Sequence, residues 1–132
     1  MLLIEIYSSL ISISALTSDY TDYGVSCNGV SDGSIDITLT GGTGVYTYEW
    51  SNGEDTEDVS NLSAGTYSST VTDFNGCTTS VEFTIEEPEE LVVSVVTSDV
   101  SCYNGNDGSA ELIVSGGIQP YTYNWSSDIN DI

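Results

Sequence analysis

Short runs of alternating apolar and polar residues follow one another along most of the chain. Ile35, Ile37 and Leu39 alternate with polar residues, which is the period-two pattern of a strand with one buried face. No stretch of useful length shows the 3.6-residue period of an amphipathic helix. The pattern therefore predicts an all-β fold, with antiparallel strands packed as a two-sheet sandwich. The other alternating runs are Tyr46, Tyr48 and Trp50; Tyr67, Ser69 and Val71; and Val81, Phe83 and Ile85.

Turn residues separate these runs. Each is a Gly-containing pair, two of them Asn-Gly, and such pairs close tight turns because glycine and asparagine tolerate positive φ. The segment 1–19 starts with an apolar run, but Glu5 and several serines interrupt it and no basic residue precedes it. We therefore interpret this segment as a β-strand region and not as a membrane span, with a degenerate export signal as the alternative. The turn pairs are Asp32-Gly33, Gly41-Gly42, Asn52-Gly53, Ala64-Gly65 and Asn75-Gly76.

The sequence repeats itself. Positions 25–51 align without a gap with positions 100–126, at 13 identities in 27 positions, and Cys27 falls on Cys102. Upstream of the first Cys the offset is larger, because Thr17 matches Thr97, so residues 20–24 are extra material. This periodicity predicts tandem modules of about 75 residues. Residues 1–19 are a connecting strand or the end of a preceding repeat, 20–90 a complete repeat, and 91–132 the truncated first half of a second.

The charge excludes several functions. The chain has no Lys, Arg or His and 21 acidic residues, for a formal charge of −21. Such a chain cannot neutralise phosphates, so we expect no nucleic-acid partner, and anionic membranes should repel it, so we expect no direct membrane insertion. Catalytic triads, Cys-His pairs and His-ligated zinc lack a required residue. We therefore predict a non-enzymatic protein with no catalytic residues and no bound cofactor other than a candidate calcium ion.

Three cysteines follow the repeat. Cys27 opens the complete module, Cys77 lies near its end, and Cys102 is the periodic image of Cys27. A Cys27–Cys77 disulfide within the module accounts for the odd cysteine, because the partner of Cys102 would lie beyond residue 132. That pairing would imply an oxidising, extracytoplasmic compartment. The alternative is three buried free thiols in a cytosolic domain.

The complete module resembles the SprB-type repeat of very large surface adhesins in gliding Bacteroidetes. The shared landmarks are a Cys, a Gly-Ser before a strand, Gly-Gly, Tyr-x-Tyr-x-Trp-Ser, Leu-x-Ala-Gly-x-Tyr, Val-x-Asp-x-x-Gly-Cys and a closing Pro, here Pro88. The resemblance covers residues 25–88, and its first half recurs at 100–126. One departure is Val45, where the second copy has Pro120.

The resemblance implies immunoglobulin-like or PKD-like β-sandwiches in tandem, exported by the type IX route and displayed as a cell-surface filament. The function it implies is that of an extracellular structural repeat in a gliding-motility adhesin, acting as a rigid acidic spacer and in adhesion. The expected partners are neighbouring repeats or copies of the chain in a filament, with surface polysaccharide as a further candidate. A carbohydrate- or calcium-binding β-sandwich module is the alternative.

The repeated aromatic row has two interpretations. Tyr46, Tyr48 and Trp50 could stack on sugar rings, but one face of a small sandwich must be buried, which favours a structural core. Tyr67 fits the role of a corner tyrosine whose hydroxyl returns to the backbone. The equivalent core residues of the second copy are Tyr121, Tyr123 and Trp125.

Acidic residues suggest two further kinds of site, a calcium site and a carboxylate-only active site. Glu54, Asp55, Glu57 and Asp58 share one loop and are weak calcium candidates, because carboxylates suit Ca²⁺ but their spacing matches no EF-hand. A carboxylate-only hydrolase would need two carboxylates facing each other across a pocket. We interpret Asp32, Asp73, Asn75 and Asp107 as turn residues. The half repeat would have to be completed by further chain or by a neighbouring subunit.

Overall fold

A computed structural model describes residues 10–19 and 22–126. These residues form antiparallel strands and divide into two compact units, with the boundary between Glu87 and Pro88. The all-β, antiparallel prediction is confirmed. Residues 1–9 of the predicted connecting segment and 127–132 of the predicted half repeat lie outside the described residues. The strands are β1 (Ser12–Thr17), β2 (Gly33–Thr40), β3 (Thr47–Trp50), β4 (Val59–Leu62), β5 (Gly65–Thr72), β6 (Thr78–Ile85), β7 (Val92–Ser98) and β8 (Ser109–Ser115).

The first unit is a sandwich of two three-stranded sheets. One sheet has the order β1-β2-β4 and the other β3-β5-β6. Ile35 and Ile37 from the first sheet meet Trp50 and Ile85 from the second, and all four are at most 3% exposed. The alternation of apolar and polar residues in β2 follows from this packing, since one face meets the other sheet and one meets solvent.

Two strands of the first sheet depend on long-range pairing. β1 pairs with β2 along its whole length, from Ser12 opposite Thr40 to Thr17 opposite Ile35, so the predicted connecting segment contributes a strand to this unit's own sheet. β4 pairs with β2 only near Gly33 to Ile35, with a register shift, and Asn61 within it has a φ of 59°. The two buried positions of β4 are its first and its last, so the sequence gives no period-two signal for it.

In the second unit, β7 and β8 pair as a two-stranded antiparallel sheet. Val93 lies opposite Val114, as Ile13 lies opposite Leu39 in the first unit. The sequence offset from Thr17 to Thr97 relates β1 to β7. The offset from Cys27 to Cys102 relates β2 to β8. The register is therefore the same in both copies, and the extra residues 20–24 fall in the connection between β1 and β2.

The Gly-Gly phrase forms the same turn in both copies. Gly41 and Gly116 have φ of 81° and 71°, in the left-handed region. A β-carbon at Gly41 would collide with the carbonyl oxygen of Leu10, and a β-carbon at Gly116 would collide with that of Glu90. Glycine is required there both by the backbone conformation and by the close approach of the segment that leads into β1 or β7.

Candidate functional site

Two residues of the aromatic row, Tyr48 and Trp50, lie on the core side of β3, and Tyr46 directly precedes this strand. Trp50 is 3% exposed, its indole Nε1 donates to the Thr56 carbonyl at 2.8 Å, and its ring centroid lies 6.0 Å from that of Phe83. Half-buried Tyr48 packs against the same core. Tyr46 is half-buried, and its hydroxyl donates to the Gly41 carbonyl. A sugar ring has no access to the buried face of Trp50, so this row is not arranged as a stacking platform.

Tyr48 and Tyr67 each use the hydroxyl to fix a neighbouring loop. Burial, together with the Glu57 carboxylate beside the hydroxyl, raises the pKa of Tyr48 to about 12. Tyr48 therefore stays a neutral hydrogen-bond donor throughout the physiological pH range. The Tyr67 hydroxyl donates to the Ser63 carbonyl at 2.9 Å, which is the contact expected of a corner tyrosine.

The acidic loop closes over Trp50 with its backbone. The Glu54 carbonyl accepts a hydrogen bond from the Trp50 amide at 3.0 Å, next to the Thr56 carbonyl that accepts from the indole. The Asp58 carboxylate accepts from the Ile37 amide at 3.0 Å, just beyond the point where β4 stops pairing with β2. This carboxylate therefore satisfies a backbone donor that the short β4 leaves without a strand partner.

The four calcium candidates are not gathered into a ligand set. Glu54, Asp55, Glu57 and Asp58 are all exposed. Across residues 10–19 and 22–126, no three or more His, Cys, Asp or Glu side chains come close enough to hold a metal ion. The loop's ordered contacts are those to Trp50, Tyr48 and Ile37, so its role in this structure is to cover the core.

Asp73 is a polar centre whose importance the sequence understated. It is 4% exposed, and its carboxylate accepts hydrogen bonds from the amide and hydroxyl of Thr43 and from the amides of Asn75 and Cys77, at 2.9–3.1 Å. The Cys77 amide, followed by the Thr43 and Asn75 donors, lowers the pKa of Asp73 below its usual value. Asp73 thus ties the β5–β6 turn to the loop after β2. The Asp-x-x-Gly-Cys spacing was the available sequence signal.

Asp32 and Asp107 show the repeated turn chemistry more simply. The Asp32 carboxylate accepts from the Ser26 amide at 3.0 Å, and the Asp107 carboxylate accepts from the Ser101 amide at 2.9 Å. In each case the serine lowers the pKa of the carboxyl group. The same aspartate closes the same loop in both copies.

The predicted Cys27–Cys77 disulfide is wrong for this structure. Cys27, Cys77 and Cys102 are free and exposed. The loop carrying Cys27 is held at the end of β6, since the Gly24 amide donates to the Glu86 carbonyl at 3.0 Å, whereas Cys77 immediately precedes the start of β6. A strand of this length separates them by on the order of 25 Å. A disulfide needs Cα atoms within about 7 Å.

The aromatic residues of the second copy are not buried as predicted. Tyr121 is half-buried, but Tyr123 and Trp125 are 57% and 45% exposed. Their predicted core role is wrong for the described structure. The physical reason is that β7 and β8 form a single two-stranded sheet, and no second sheet packs on it among the described residues of this unit.

One cleft in the first unit is bordered by carboxylates. It has a volume of about 360 Å³ and is lined in part by Asp19, Asp22 and Glu86. Asp19 accepts a hydrogen bond from the Asp22 amide at 3.0 Å, so its carboxylate closes a local turn.

None of the described segments is a helix with the length and apolar character needed to cross a membrane.

Comparison with known families accounts for the repeated framework. The family model described as SprB repeat matches residues 24–55 and 94–128, about half of the chain. The chain belongs to the SprB repeat family. The two matched segments carry Cys27 and Cys102, both Gly-Gly turns and both aromatic rows, so the SprB framework is present twice. No curated protein and no solved structure matches the chain.

The SprB assignment gives the structure a context. SprB repeats are structural repeats of cell-surface adhesins, and this context agrees with an extracellular location. Tyr67, Asp73 and Cys77 lie outside the two matched segments. Their roles therefore rest on the contacts described above and not on the family match.

Proposed function

We propose that this chain is a non-enzymatic segment of a large extracellular filament, in which SprB modules act as rigid acidic spacers and contribute to adhesion by being displayed in many copies. The observation that carries the proposal is the use of the repeated aromatic chemistry for packing: Trp50 is buried, and the acidic loop that follows it covers the core. In the complete module the aromatic residues make internal contacts, and this suits a structural bead better than an exposed binding site.

The proposal includes finer features of the same filament. These are an immunoglobulin-like or PKD-like sandwich repeated with a period of about 75 residues, export by the type IX route and a place in gliding motility. The proposed partners are neighbouring repeats or copies of the chain, with surface polysaccharide as a target of adhesion. The charge of −21 supports the spacer role, because like-charged modules repel one another and resist collapse.

Labelling of intact cells tests the filament proposal. Antibodies raised against the chain should label unpermeabilised cells that produce it, and prior digestion of the cell surface with a glutamate-directed protease should remove the label. A trypsin-treated sample is the matched control, since the chain offers trypsin no Lys or Arg. Label that appears only after permeabilisation would contradict the proposal.

A paired substitution separates the spacer from a carbohydrate-binding module. Trp50→Ala should lower the free energy of unfolding of the first unit by about 3–5 kcal/mol, because it removes a large core side chain. Trp125→Ala, at a side chain that is 45% exposed, is the control and should leave that unit's unfolding unchanged. Urea unfolding and a glycan array would be measured together. Saturable glycan binding that Trp50→Ala abolishes without loss of stability would favour the binding module.

A further inference from the structure

The chain contains four Asn-Gly steps, and all four lie in turns. The asparagine of such a step is prone to deamidation, because the amide nitrogen of the following glycine can attack the side-chain carbonyl carbon with no β-carbon in the way. The attack requires the side chain to move and the glycine amide to leave its hydrogen bond. The steps begin at Asn28, Asn52, Asn75 and Asn104.

Asn75 is held in place by its side chain and by its neighbours. Its Nδ2 donates to the Thr43 hydroxyl at 2.7 Å, and its backbone amide donates to the Asp73 carboxylate at 3.0 Å. The Gly76 amide, whose nitrogen would attack, donates to the Asp73 carbonyl at 3.0 Å. Deamidation at Asn75 therefore requires the turn to leave the Asp73 network.

The steps at Asn52 and Asn28 are also restrained. The Asn52 side-chain oxygen accepts a hydrogen bond from the Glu54 amide at 3.2 Å. The Gly29 amide, which would attack Asn28, donates to the Glu87 carboxylate at 2.7 Å. A negatively charged acceptor therefore holds the proton that this nitrogen must lose.

Asn104 is held much less firmly. Its side chain is exposed and has no hydrogen-bond partner among the described residues. The Gly105 amide donates to the Cys102 carbonyl at 2.8 Å, within the same turn. The φ of Asn104 is 62°, in the left-handed region that strains a residue with a β-carbon. Opening this turn breaks a local hydrogen bond and relieves the backbone.

The first copy of the repeat lacks this chemistry at the same turn. At the offset of the two copies, Gly29 and Val30 stand where the second copy has Asn104 and Gly105. Gly29 has a φ of 74°, and the Val30 amide donates to the Cys27 carbonyl at 3.3 Å, so the turn is the same. Glycine has no side-chain amide to lose, and a valine side chain hinders attack by its own nitrogen.

We propose that Asn104 is a site of spontaneous deamidation in the folded protein. The Gly105 nitrogen loses its proton and bonds to the Asn104 Cγ, the Cγ–Nδ2 bond breaks, and the side-chain nitrogen leaves as ammonia. Water then opens the cyclic imide. Cleavage at the backbone carbonyl gives isoaspartate, and cleavage at Cγ gives aspartate. This modification site goes beyond the proposed filament function and does not depend on it.

Conversion changes the charge and the backbone of this loop. Either product adds a carboxylate to a chain that has 21 acidic and no basic residues. Isoaspartate also adds one carbon to the main chain before Gly105, which displaces the amide that bonds Cys102. The Asp107 carboxylate closes the same loop on the Ser101 amide. We expect hydrogen exchange in residues 101–107 to become faster after conversion.

Peptide mapping of the folded chain tests the proposal. Cleavage after glutamate puts the four Asn-Gly steps in four different peptides, so mass spectrometry follows each one separately. Fragmentation of the peptide distinguishes Asn104 from Asn106. At mildly alkaline pH we expect Asn104 to convert at least about tenfold faster than Asn75, because the Asn75 turn must open against more contacts. An isoaspartyl methyltransferase should label the Asn104 product.

The chain unfolded in urea is the matched control. Unfolding removes the contacts of all four turns, so the rates at Asn104 and Asn75 should come within about threefold of each other. A preference for Asn104 that is as large in urea as in the folded chain would overturn the structural argument. Equal rates in the folded chain, or no conversion of Asn104, would overturn the proposal itself.

Substitutions test the two turns separately. Asn104→Gly places there the residue that the first copy has, and it should abolish the slow appearance of a more acidic form in anion-exchange chromatography. Thr43→Val removes the acceptor of the Asn75 side chain and should speed deamidation at Asn75 while leaving the Asn104 rate unchanged. Thr43→Ser keeps the hydroxyl and should leave Asn75 slow. Equal Asn75 rates in the Val and Ser variants would overturn the protective role of this contact.

Discussion

At the scale of single residues, surroundings decide what a side chain does. Trp50 and Trp125 are equivalent in the repeat, but one is 3% and the other 45% exposed. Trp50 is covered by a loop that accepts hydrogen bonds from both its amide and its indole nitrogen. The sequence indicates that both are aromatic strand residues, whereas their burial depends on whether a second sheet is present to pack on them.

Ser69 offers a test of packing at this scale. It lies opposite Trp50 across β3 and β5, is completely buried, and its Oγ has no hydrogen-bond partner among the described residues. Because an unsatisfied buried hydroxyl costs about 1–3 kcal/mol, Ser69→Ala should leave the free energy of unfolding unchanged or raise it by about 1 kcal/mol. Exposed Ser68→Ala is the control in urea unfolding. A clear destabilisation by Ser69→Ala alone would show that the hydroxyl has a partner.

Asp73 predicts a pH dependence. Its pKa is lowered in the folded state, so its stabilisation is fully present above the ordinary value of 3.8 and is lost as the pH falls below it towards the folded value. Asp73→Asn should therefore destabilise the protein at pH 7, and the difference from the unsubstituted chain should shrink below about pH 3.8.

The measurement is urea unfolding of both chains between pH 7 and pH 2.5. Glu82→Gln removes the same charge from an exposed position in β6 and serves as the control. A difference between the Asp73→Asn variant and the unsubstituted chain that stays constant down to pH 2.5 would contradict the assigned role of the carboxylate.

At the scale of elements, local pattern and long-range pairing contribute separately. β2, β5 and β6 were predictable because each alternates along its whole length between turn signals. β4 was not predicted, because Val59 and Leu62 are its two buried positions and their spacing breaks the alternation. β4 forms because it pairs with the edge of β2, and that edge is present only in the folded sheet.

The length of β6 leads to a prediction about the cysteines. Because this strand separates Cys27 from Cys77, both thiols should be alkylated by iodoacetamide in the native protein without reductant. Dithiothreitol should leave the Tm unchanged. Peptide mapping with a glutamate-directed protease, followed by mass spectrometry, makes the measurement. A peptide linked through Cys27 and Cys77 would contradict the structure and restore the disulfide that the sequence predicted.

At the scale of the whole molecule, uniform charge is the dominant electrostatic feature. With 21 acidic and no basic residues, every charge in the chain repels every other, and no internal ion pair between side chains can offset this at neutral pH. The folded units are held by apolar packing and by carboxylates that accept backbone hydrogen bonds, such as Asp58 and Asp73. Stability should therefore depend on screening.

Salt should raise the Tm. Increasing NaCl from about 0.1 M to 1 M shortens the Debye length from about 10 Å to about 3 Å, which weakens the repulsion. A gain of about 1 kcal/mol in the free energy of unfolding raises the Tm by roughly 4–8 °C for a unit of this size. Differential scanning calorimetry makes the measurement, with KCl and dilute CaCl₂ at matched ionic strength as controls. A Tm that does not change with NaCl concentration, or that rises specifically with calcium, would contradict this account.

The sequence by itself determined the strand class, the turn positions and the duplicated SprB framework. These features follow from alternation, glycine chemistry and internal identity, which act over a few residues or can be compared directly along the chain. The tertiary structure decided that Cys27 and Cys77 lie at opposite ends of β6, that Asp73 joins two loops, and that Trp50 is buried between two sheets. The physical reason is that these features depend on which strands pair and which sheet covers a face, and such contacts join residues distant in the sequence.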